Sequence, residues 1–366
     1  MPTPARVIIA PPSGPLQVEE LELPDPGPRQ VVVRQFASGI CHSQLHQLHR
    51  PHSSNLLLGH ESTGEVLAVG SEVTHLVPGD LAMVTWVPRN PQAASRWGGG
   101  ITLDLGDGRT ASTADVFTWA SHSIADESMV VKVAANVAHD VTSIIGCAVM
   151  TGAGAVTNTV GVKAGESVAV FGVGGVGLSA VTAASVIGAD PIIAVDLDQT
   201  KLDFAKRFGA THTVNASAGD AVEQIRAITR GRYEGLGFRG MPVEGVDYAF
   251  DCIGAKVTME QILSAVRPGR FGVGKGGTAV LVGVPTTGMD LNVGELLMTE
   301  KSYIGSIGGS CTPDRDFPAF VQWHEDGRLL LDEMVTARFA LDEVNEAVDA
   351  LTKGKISGRA IFDIAP

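Results

Sequence analysis

The stretch that decides the fold is Val168-Ala-Val-Phe-Gly172-Val-Gly174-Gly-Val-Gly177, four apolar residues running into three spaced glycines. The apolar residues predict a short buried strand, and the sequence after Gly177 predicts a helix. In such a motif Gly172 permits a tight turn, Gly174 lets the backbone approach a pyrophosphate, and Gly177 lets helix and strand pack closely. A lone glycine motif is a weak signal, but this one lies between a strand and a helix and therefore predicts a dinucleotide site.

A second apolar run, at 192–195, ends in Asp196, which lies 19 residues after Gly177. A carboxylate at this position accepts hydrogen bonds from the hydroxyls of an adenosine ribose and repels a 2′-phosphate. Asp196 therefore favours NAD over NADP. Taken alone, it would be interpreted as a surface turn residue, and the glycine motif upstream favours the ribose contact.

Apolar runs at 168–171, 192–195, 246–250 and 279–284 alternate with helical patterns or turns. This alternation is typical of a doubly wound parallel sheet of the Rossmann type, whose strands are buried on both faces. Residues 1–148 instead contain short β-type runs, and a helix-rich tail ends in a strand-like run at 359–364. We therefore predict an α/β protein with a β-rich domain at 1–148, a coenzyme domain at 149–307, and a return to the first domain at 308–366.

Two glycine-rich loops, at 231–245 and 270–277, are longer than the usual connections of α/β domains. Each leads into the amino end of a predicted strand, whereas ligands of open α/β sheets bind at the carboxyl ends. Both loops are therefore predicted to be surface or subunit-contact features.

The composition narrows the class of protein further. The 366 residues suggest two domains with full cores, and the formal net charge of −13 argues against a nucleic-acid partner. No apolar run predicts a membrane partner, and the first residues lack the layout of a signal peptide, so a cytoplasmic protein is expected. The four cysteines are far apart and form no CxxC, so no disulfide framework is predicted.

Three residues remote from one another in sequence are candidate metal ligands: Cys41, His60 and Cys147. Two thiolates and one imidazole leave the fourth position of a tetrahedral zinc open, as a catalytic zinc requires. Thiolate donors also favour zinc over magnesium or calcium. Spacing alone does not prove a site, and the alternative for each cysteine is a small buried apolar residue.

The chain resembles the zinc-dependent alcohol dehydrogenases of the medium-chain dehydrogenase/reductase family over essentially its whole length. The resemblance is carried by motifs in a fixed order: GICHSQLH at 39–46, GHE at 59–61, GEVLAVG at 64–70, PGD at 78–80, CAVMT at 147–151, the glycine motif, DLDQTK at 196–201, VGVP at 282–285 and the tail around Arg359. It implies a GroES-like catalytic domain followed by the Rossmann coenzyme domain. It also implies hydride transfer between an alcohol, or its aldehyde or ketone, and NAD(H).

The resemblance implies a role for each residue near the metal. The catalytic zinc would be bound by Cys41, His60 and Cys147. Glu61 would lie beside the zinc and enter its coordination shell transiently. Ser43 would hydrogen-bond the substrate oxygen, and His46 would pass the released proton to solvent through the cofactor ribose.

The resemblance also implies a set of cofactor contacts. Basic groups near the pyrophosphate would be His42 and Arg359, and Lys201 would join Asp196 at the ribose. The further expected contacts are Thr151, Gly172, Gly174, Gly175, Val176, Gly177, Ile253, Val282 and Val284, of which Thr151 and Val176 hold the nicotinamide ring. Trp86 corresponds to an aromatic wall of the substrate pocket, with simple packing as its alternative.

The sequence departs from the family pattern in two places. The structural zinc of the family needs four closely spaced cysteines, and the stretch from 87 to 110, where they would lie, contains none. One catalytic zinc per chain and no structural zinc are therefore expected, with this lobe held by ordinary packing and turns or mobile. Gln44 stands where many relatives carry an aspartate that orients the zinc-binding histidine, and a neutral amide is expected to alter zinc affinity.

Two other functions remain open at this stage. A zinc-free quinone or enoyl reductase of the same superfamily would not need the ligand set, and a non-enzymatic NADH-binding protein would not need Ser43 or His46. For a dehydrogenase, simple aliphatic or aromatic alcohols are the expected substrates. The stretches at 196–201 and 204–215 also resemble bacterial relatives that oxidise thiol adducts of formaldehyde. A homodimer or homotetramer is expected, with a strand near 302–307 pairing across a two-fold axis.

Overall fold

The structure is a computed structural model that describes residues 3–106, 108–134, 137–270 and 272–364. The chain divides into two compact units. Unit 1 comprises Met1–Met150 and Cys311–Pro366, and unit 2 comprises Thr151–Ser310. The divisions expected from the sequence, after 148 and after 307, lie two and three residues from those of the structure.

Unit 1 is rich in short strands. They are β1 (Thr3–Ala10), β2 (Gln17–Leu23), β3 (Gln30–Ile40), β4 (Asn55–Leu57), β5 (Ser62–Val69), β6 (Leu81–Val84), β7 (Ile101–Gly106), β8 (Arg109–Thr113), β9 (His122–Asp126), β10 (Val130–Lys132), and, in the carboxyl-terminal part, β17 (Val335–Phe339) and β18 (Arg359–Asp363).

These strands form two sheets. One has the order β2-β1-β4-β8-β7, and the other has the order β10-β6-β5-β3-β18-β17, with β9 also paired to β3. The last strand, β18, pairs antiparallel with β3, with Ala360 opposite Ile40. The end of the chain is thus built into the sheet whose strand β3 leads into the metal-ligand candidate Cys41.

The helices of unit 1 are short and pack against its sheets. They are α1 (His42–His49), α2 (Pro91–Ala94), α9 (Pro313–Glu325), α10 (Leu331–Met334) and α11 (Val344–Thr352). One core joins both ends of the chain, because Ile8, Ile40 and Trp119 pack in the same cluster as Val344 and Phe362. All five side chains are buried.

Unit 2 is built on one parallel sheet. Its strands are β11 (Val168–Phe171), β12 (Ile192–Asp196), β13 (His212–Asn215), β14 (Tyr248–Asp251), β15 (Thr278–Leu281) and β16 (Ser302–Gly305). They lie in the order β13-β12-β11-β14-β15-β16, and all five pairings between neighbouring strands are parallel. This order is that of a dinucleotide-binding fold, in which the strand order reverses beside β11.

The helices of unit 2 are α3 (Met150–Gly154, whose first residue belongs to unit 1), α4 (Gly175–Ile187), α5 (Gln199–Arg207), α6 (Ala221–Thr229), α7 (Lys256–Ala265) and α8 (Val293–Thr299). Aspartates start two of them: the Asp198 carboxylate accepts from the backbone N–H of Thr200, and Asp220 accepts from the N–H groups of Val222 and Glu223. Such caps satisfy backbone donors that a helix cannot pair by itself.

Two predicted strands of this sheet have different bounds in the structure. The run predicted at 279–284 is a strand only over Thr278–Leu281, because the chain then turns and the N–H groups of Val282 and Gly283 both donate to the carbonyl of Asp251. The run at 246–250 becomes Tyr248–Asp251. The first run extends past its strand into the buried Val282, and the second begins before its strand at the buried Val246.

The glycine-rich segment 231–245 is attached to the amino-end edge of the sheet by a polar cluster. Asp247, just before β14, accepts hydrogen bonds from Ser167 Oγ at 2.9 Å and Tyr233 Oη at 2.8 Å. Arg267 Nε donates to the other carboxylate oxygen at 2.7 Å. Part of the second glycine-rich loop, Phe271, lies outside the described residues.

A helical stretch at Val141–Thr159 is, by length and composition, the one candidate membrane span among the described residues. Its most apolar window is 89% buried inside the protein. A buried core helix passes the same test, so this stretch is weak evidence for a span.

Candidate active site

Four side chains with metal-binding atoms converge in unit 1. They are Cys41, His60, Glu61 and Cys147, and one ligand atom from each lies within 4.8 Å of all the others. Cys41 follows β3 and is the N-cap of α1, and His60 and Glu61 lie between β4 and β5. Residues 106 positions apart, Cys41 and Cys147, therefore meet only because the chain folds back on itself.

A tight turn aims His60 into this cluster. Gly59 immediately before it has φ +90, a backbone conformation that side chains disfavour. A Cβ on Gly59 would also lie 2.4 Å from Trp119 Cδ1 and 2.6 Å from the Trp119 backbone nitrogen. Only glycine fits this turn, which explains why the ligand histidine is preceded by one.

Cys147 lies in a helical turn at Ile145–Val149 that is wider than an α-helix. Its Sγ is 4.0 Å from Cys41 Sγ. Two thiolates on one tetrahedral zinc lie about 3.8 Å apart, given a zinc–sulfur bond of about 2.3 Å. The cysteines are therefore placed for a shared metal, and their separation fits zinc without rearrangement of the backbone.

The electrostatics of the cluster favour a thiolate. The hydrogen bond with Cys147 lowers the pKa of the Cys41 thiol well below its usual value, against the opposing effect of burial. The charge of Arg359 and the nearby His60 also lower the pKa of Cys41. Thiolate is the form that binds zinc.

Both carboxylate oxygens of Glu61 have a partner within the protein. Its side chain is 0% exposed, and it forms an ion pair with Arg359, which is 5% exposed. Its second carboxylate oxygen accepts the backbone N–H of Ala148 at 3.2 Å. The structure thus pairs Arg359, expected near a pyrophosphate, with Glu61, expected beside the metal.

Ser43, Gln44 and His60 form a connected hydrogen-bond network. Gln44 Nε2 lies 2.7 Å from His60 Nδ1, and Gln44 Oε1 accepts the backbone N–H of Cys41 at 3.0 Å. On the other side of the imidazole, Ser43 Oγ lies 3.5 Å from His60 Nε2. Gln44 occupies the orienting position expected from the sequence, and its amide nitrogen, not its oxygen, faces the histidine.

Several side chains of unit 1 carry a buried polar atom without a hydrogen-bond partner in the described part of the chain, and two of them are predicted site residues outside the ligand cluster and its ion pair. They are His46 Nδ1 and Trp86 Nε1. The Trp86 ring lies edge-on to His60, with ring centroids 6.3 Å apart. Unpaired buried groups cost free energy, so such atoms mark places where a ligand can be held. His42, by contrast, is exposed.

In unit 2 the glycine motif has the geometry predicted from the sequence. Gly172 has φ +83. A Cβ on Gly177 would lie 1.8 Å from the carbonyl oxygen of Gly172, so α4 can start this close to β11 only with glycine there. A Cβ on Gly174 would meet nothing within 4 Å, which leaves open space over the loop. Gly175 and Val176 form the first turn of α4.

Asp196 ends β12 beside this loop. Its carboxylate accepts the backbone N–H of Val173 at 3.0 Å through one oxygen, and those of Leu197 and Asp198 at 2.8 and 3.1 Å through the other. The backbone therefore fixes the carboxylate at the carboxyl end of its strand. Lys201 lies on α5, one turn further along.

Exposed apolar side chains follow the carboxyl ends of three strands of this sheet, β12, β14 and β15. Ile253 is 46% exposed, Val284 47% and Leu197 69%, whereas Val282 is buried. Thr151 of the same unit has a buried hydroxyl without a partner among the described residues. Leu197, which directly follows Asp196, was not among the site residues expected from the sequence.

The stretch without structural-zinc cysteines is held by ion pairs. Arg89 bonds to Glu127 at 3.1 Å and to Asp314 at 2.8 Å, so it links the lobe to two distant parts of unit 1. Asn90 caps α2 by accepting the N–H of Ala93 and donates to the same Asp314. Polar links between packed elements thus hold this lobe.

Two family models match the chain. "Alcohol dehydrogenase GroES-like domain" matches residues 27–135, and "Zinc-binding dehydrogenase" matches residues 175–326. The first match covers β3 to β10 of unit 1, and the second begins at Gly175, inside the glycine motif, and covers the parallel sheet from β12 to β16.

Whole-length relatives agree with these matches. The chain is 31% identical to "Alcohol dehydrogenase class-3" of Cereibacter sphaeroides, over 93% of this chain and 94% of the relative. It is also 31% identical to "S-(hydroxymethyl)glutathione dehydrogenase" of Paracoccus denitrificans, over the same shares. The crystal structure of benzyl alcohol dehydrogenase from Acinetobacter calcoaceticus is similar, with a TM-score of 0.84 and 28% identity over 99% of this chain and 100% of that one.

The chain therefore belongs to the zinc-dependent alcohol dehydrogenases of the medium-chain dehydrogenase/reductase family. The predicted family and fold class, a GroES-like domain with a Rossmann domain, are confirmed.

Proposed function

We propose that this protein is a dehydrogenase that interconverts a small alcohol and its aldehyde or ketone with NAD(H), using one zinc held by Cys41, His60 and Cys147. The observation that carries the proposal is the convergence of two thiols and one imidazole, from three separate parts of the chain, on one metal-sized position. When bound, zinc supplies a Lewis acid for the substrate oxygen, and NAD supplies the hydride acceptor.

The chain's own residues position the substrate and move its proton. Ser43, whose hydroxyl lies 3.5 Å from His60 Nε2, receives the hydrogen bond of the alcohol. His46, with a buried Nδ1 that has no partner among the described residues, passes the proton onward to solvent. Trp86 forms an apolar wall next to His60 and excludes water from the reacting carbon.

Glu61 has a supporting role in this proposal. Arg359 and the Ala148 N–H occupy its two carboxylate oxygens and hold the carboxyl group beside the metal ligands. A transient visit of Glu61 to the zinc would require its ion pair to open first.

Unit 2 holds the dinucleotide in the proposal. The open space over Gly174 and the amino end of α4 accept the pyrophosphate. Asp196, fixed by three backbone N–H groups, accepts the ribose hydroxyls and selects NAD over NADP. In this proposal the nicotinamide side is supported by Thr151, Val176, Ile253, Val282 and Val284, the ribose by Lys201, and the adenine face by Leu197.

The substrate class is proposed from the relatives. One similar protein is named for benzyl alcohol and another for a glutathione adduct. Simple aliphatic or aromatic alcohols are the first candidates, because the pocket side chain identified in unit 1 is the apolar ring of Trp86. A thiol adduct of formaldehyde is the second candidate, favoured by the 31% identity to the relative named for it.

The assembly and setting are also proposals. The edge strand β16 is paired on one side in the described sheet, and Val293, Leu297 and Ile307 near it are 69%, 73% and 77% exposed. Two copies pairing along this edge would form a homodimer in which these side chains are buried. A homotetramer would contain two such dimers. We also propose a single zinc per chain, since no cysteine lies between 87 and 110, and a cytoplasmic location.

The test combines turnover with metal content. Purified protein is mixed with NAD or NADP and a panel of aliphatic, aromatic and secondary alcohols plus a formaldehyde–thiol adduct, while reduced-cofactor absorbance is followed. We expect NAD-dependent turnover, one zinc per chain, and loss of both after treatment with a chelator. Cys41→Ser should lose zinc and activity, whereas Cys311→Ser, a thiol outside the ligand cluster, should retain both.

The outcomes separate the three possible functions. Turnover of a quinone or an enoyl substrate with no bound zinc would identify a zinc-free reductase. NADH binding without turnover of any substrate, in protein that carries zinc, would favour the non-enzymatic role. Asp196→Ala should relax the preference for NAD, and an unchanged preference would remove its assignment to the ribose.

A further inference from the structure

Gln44 is locked in one orientation by its neighbours. It is 1% exposed, so water cannot partner its amide. Its Oε1 accepts the backbone N–H of Cys41 at 3.0 Å. A backbone N–H can only donate, and therefore the oxygen of the Gln44 amide must point at Cys41 and the NH₂ group must point away.

The NH₂ group of Gln44 faces His60 Nδ1 at 2.7 Å. Because the amide nitrogen is only a donor, Nδ1 must accept with its lone pair. A neutral imidazole carries one hydrogen, which then lies on Nε2, the nitrogen 3.5 Å from Ser43 Oγ. The chain of donors therefore runs from the Cys41 backbone through Gln44 and His60 to Ser43, and its direction is set by the backbone.

This direction opposes zinc binding by His60. Nδ1 is occupied by Gln44, so Nε2 is the nitrogen left for a metal, and it must offer a lone pair. The ring hydrogen would then have to move to Nδ1, where the Gln44 N–H already points. A carboxylate at 44 would accept from both Cys41 and His60, whereas the amide can accept from only one of them.

We propose that Gln44 is a positioning residue that holds His60 in the Nε2–H tautomer, so that zinc loading requires the Gln44 amide to turn over and give up its bond to Cys41. The inference rests on the zinc site of the proposed function and adds that this chain binds the metal less tightly than a Gln44→Glu variant does. Partners of a ligand histidine typically change metal affinity about 10- to 100-fold.

The first measurement is made on the full-length, metal-free protein labelled with ¹⁵N in its histidines. Imidazole ¹⁵N shifts distinguish the two neutral tautomers, and a His60→Gln variant assigns the His60 signals among those of the 10 histidines. We expect the Nε2–H tautomer in the unaltered protein and the Nδ1–H tautomer in Gln44→Glu. An Nδ1–H tautomer in the unaltered protein would overturn the proposal even if the variant failed to fold.

The second measurement is zinc affinity by competition with a chromophoric chelator. Gln44→Glu should bind zinc about 10- to 100-fold more tightly than the unaltered protein. Gln47→Glu is the matched control, because it adds the same charge to an exposed position of the same helix. It should leave the zinc affinity unchanged.

Each result has one meaning. Equal zinc affinity of the Gln44→Glu variant and the unaltered protein, or an equal gain in Gln47→Glu, overturns the inference. Absence of zinc uptake by every variant instead overturns the zinc site of the proposed function. In that case the ¹⁵N shifts of His60 still decide whether Gln44 donates to it.

Discussion

Breaking the ion pair between Glu61 and Arg359 is expected to destabilise unit 1 strongly. The two side chains are 0% and 5% exposed, and they come from positions 298 residues apart. In Arg359→Met the Glu61 carboxylate keeps only the N–H of Ala148, at 3.2 Å, as its partner. Leaving one member of a buried pair uncompensated costs about 3–5 kcal/mol.

The double variant distinguishes pairing from simple loss of packing. Glu61→Gln alone leaves the guanidinium without its counter-charge and should also cost about 3–5 kcal/mol. Glu61→Gln combined with Arg359→Met removes both charges and should cost only about 1 kcal/mol, since the new amide can still accept the Ala148 N–H. The two single effects are therefore expected to be far from additive.

Urea unfolding of metal-free, cofactor-free protein measures these costs. All four tryptophans, at 86, 97, 119 and 323, belong to unit 1, so their fluorescence reports the unfolding of that unit alone. The slope of free energy against urea concentration should stay constant while the midpoint falls. Single-variant costs below about 1 kcal/mol, or a double variant whose cost equals the sum of the two, would refute the reasoning.

Three further predictions concern other parts of the molecule. Gly174→Ala should fold normally, since its Cβ would meet nothing within 4 Å, but it should bind NADH weakly because that space is the one proposed for the pyrophosphate. Gly177→Ala should destabilise unit 2 by about 1–3 kcal/mol. Calorimetry measures the stability of both variants, and NADH fluorescence measures their cofactor binding. Arg89→Ala, which removes the arginine partner of both Glu127 and Asp314, should destabilise unit 1 by about 2–4 kcal/mol in urea with zinc content unchanged, while Arg96→Ala, from an exposed pair, costs under about 1 kcal/mol. Burial raises the pKa of Tyr233 to about 12 from 10.0, so the unfolded state binds fewer protons between these values and stability falls as pH rises through them. Tyr233→Phe should flatten this fall, as measured by circular dichroism in urea; an equally steep fall would contradict the assignment.

The features of the structure that could be predicted from the sequence are those that depend on residues close together along the chain. The glycine motif needs only a strand, a turn and a helix in succession, and β11 has the predicted bounds of 168–171. The strand β13 was not singled out, because His212–Asn215 is short, polar in part and lies at the edge of the sheet. An edge strand needs less apolar surface than a central one, and its pattern is correspondingly weak.

The details of the site could not be predicted, because they depend on residues far apart in the chain. The resemblance placed Gln44 at the position that orients His60, but it did not show that the Cys41 backbone takes the amide oxygen and turns the NH₂ group toward the histidine. Likewise, the sequence showed that cysteines are missing from the lobe after residue 87 but not that Arg89 links this lobe to Asp314. Such contacts are fixed by tertiary packing and carry no local pattern.

The position of β18 has a consequence for biosynthesis. Unit 2 is one continuous segment, Thr151–Ser310, and can fold on the ribosome as soon as it has emerged. Unit 1 is not continuous, because the charge partner of Glu61 and the strand beside β3 are contributed by Arg359–Asp363, which follows unit 2 in the chain and is synthesised after it. During translation the residues of unit 1 before Thr151 therefore stay incompletely folded until β18 has been made, and a nascent chain without β18 lacks the charge partner of Glu61 beside the metal ligands.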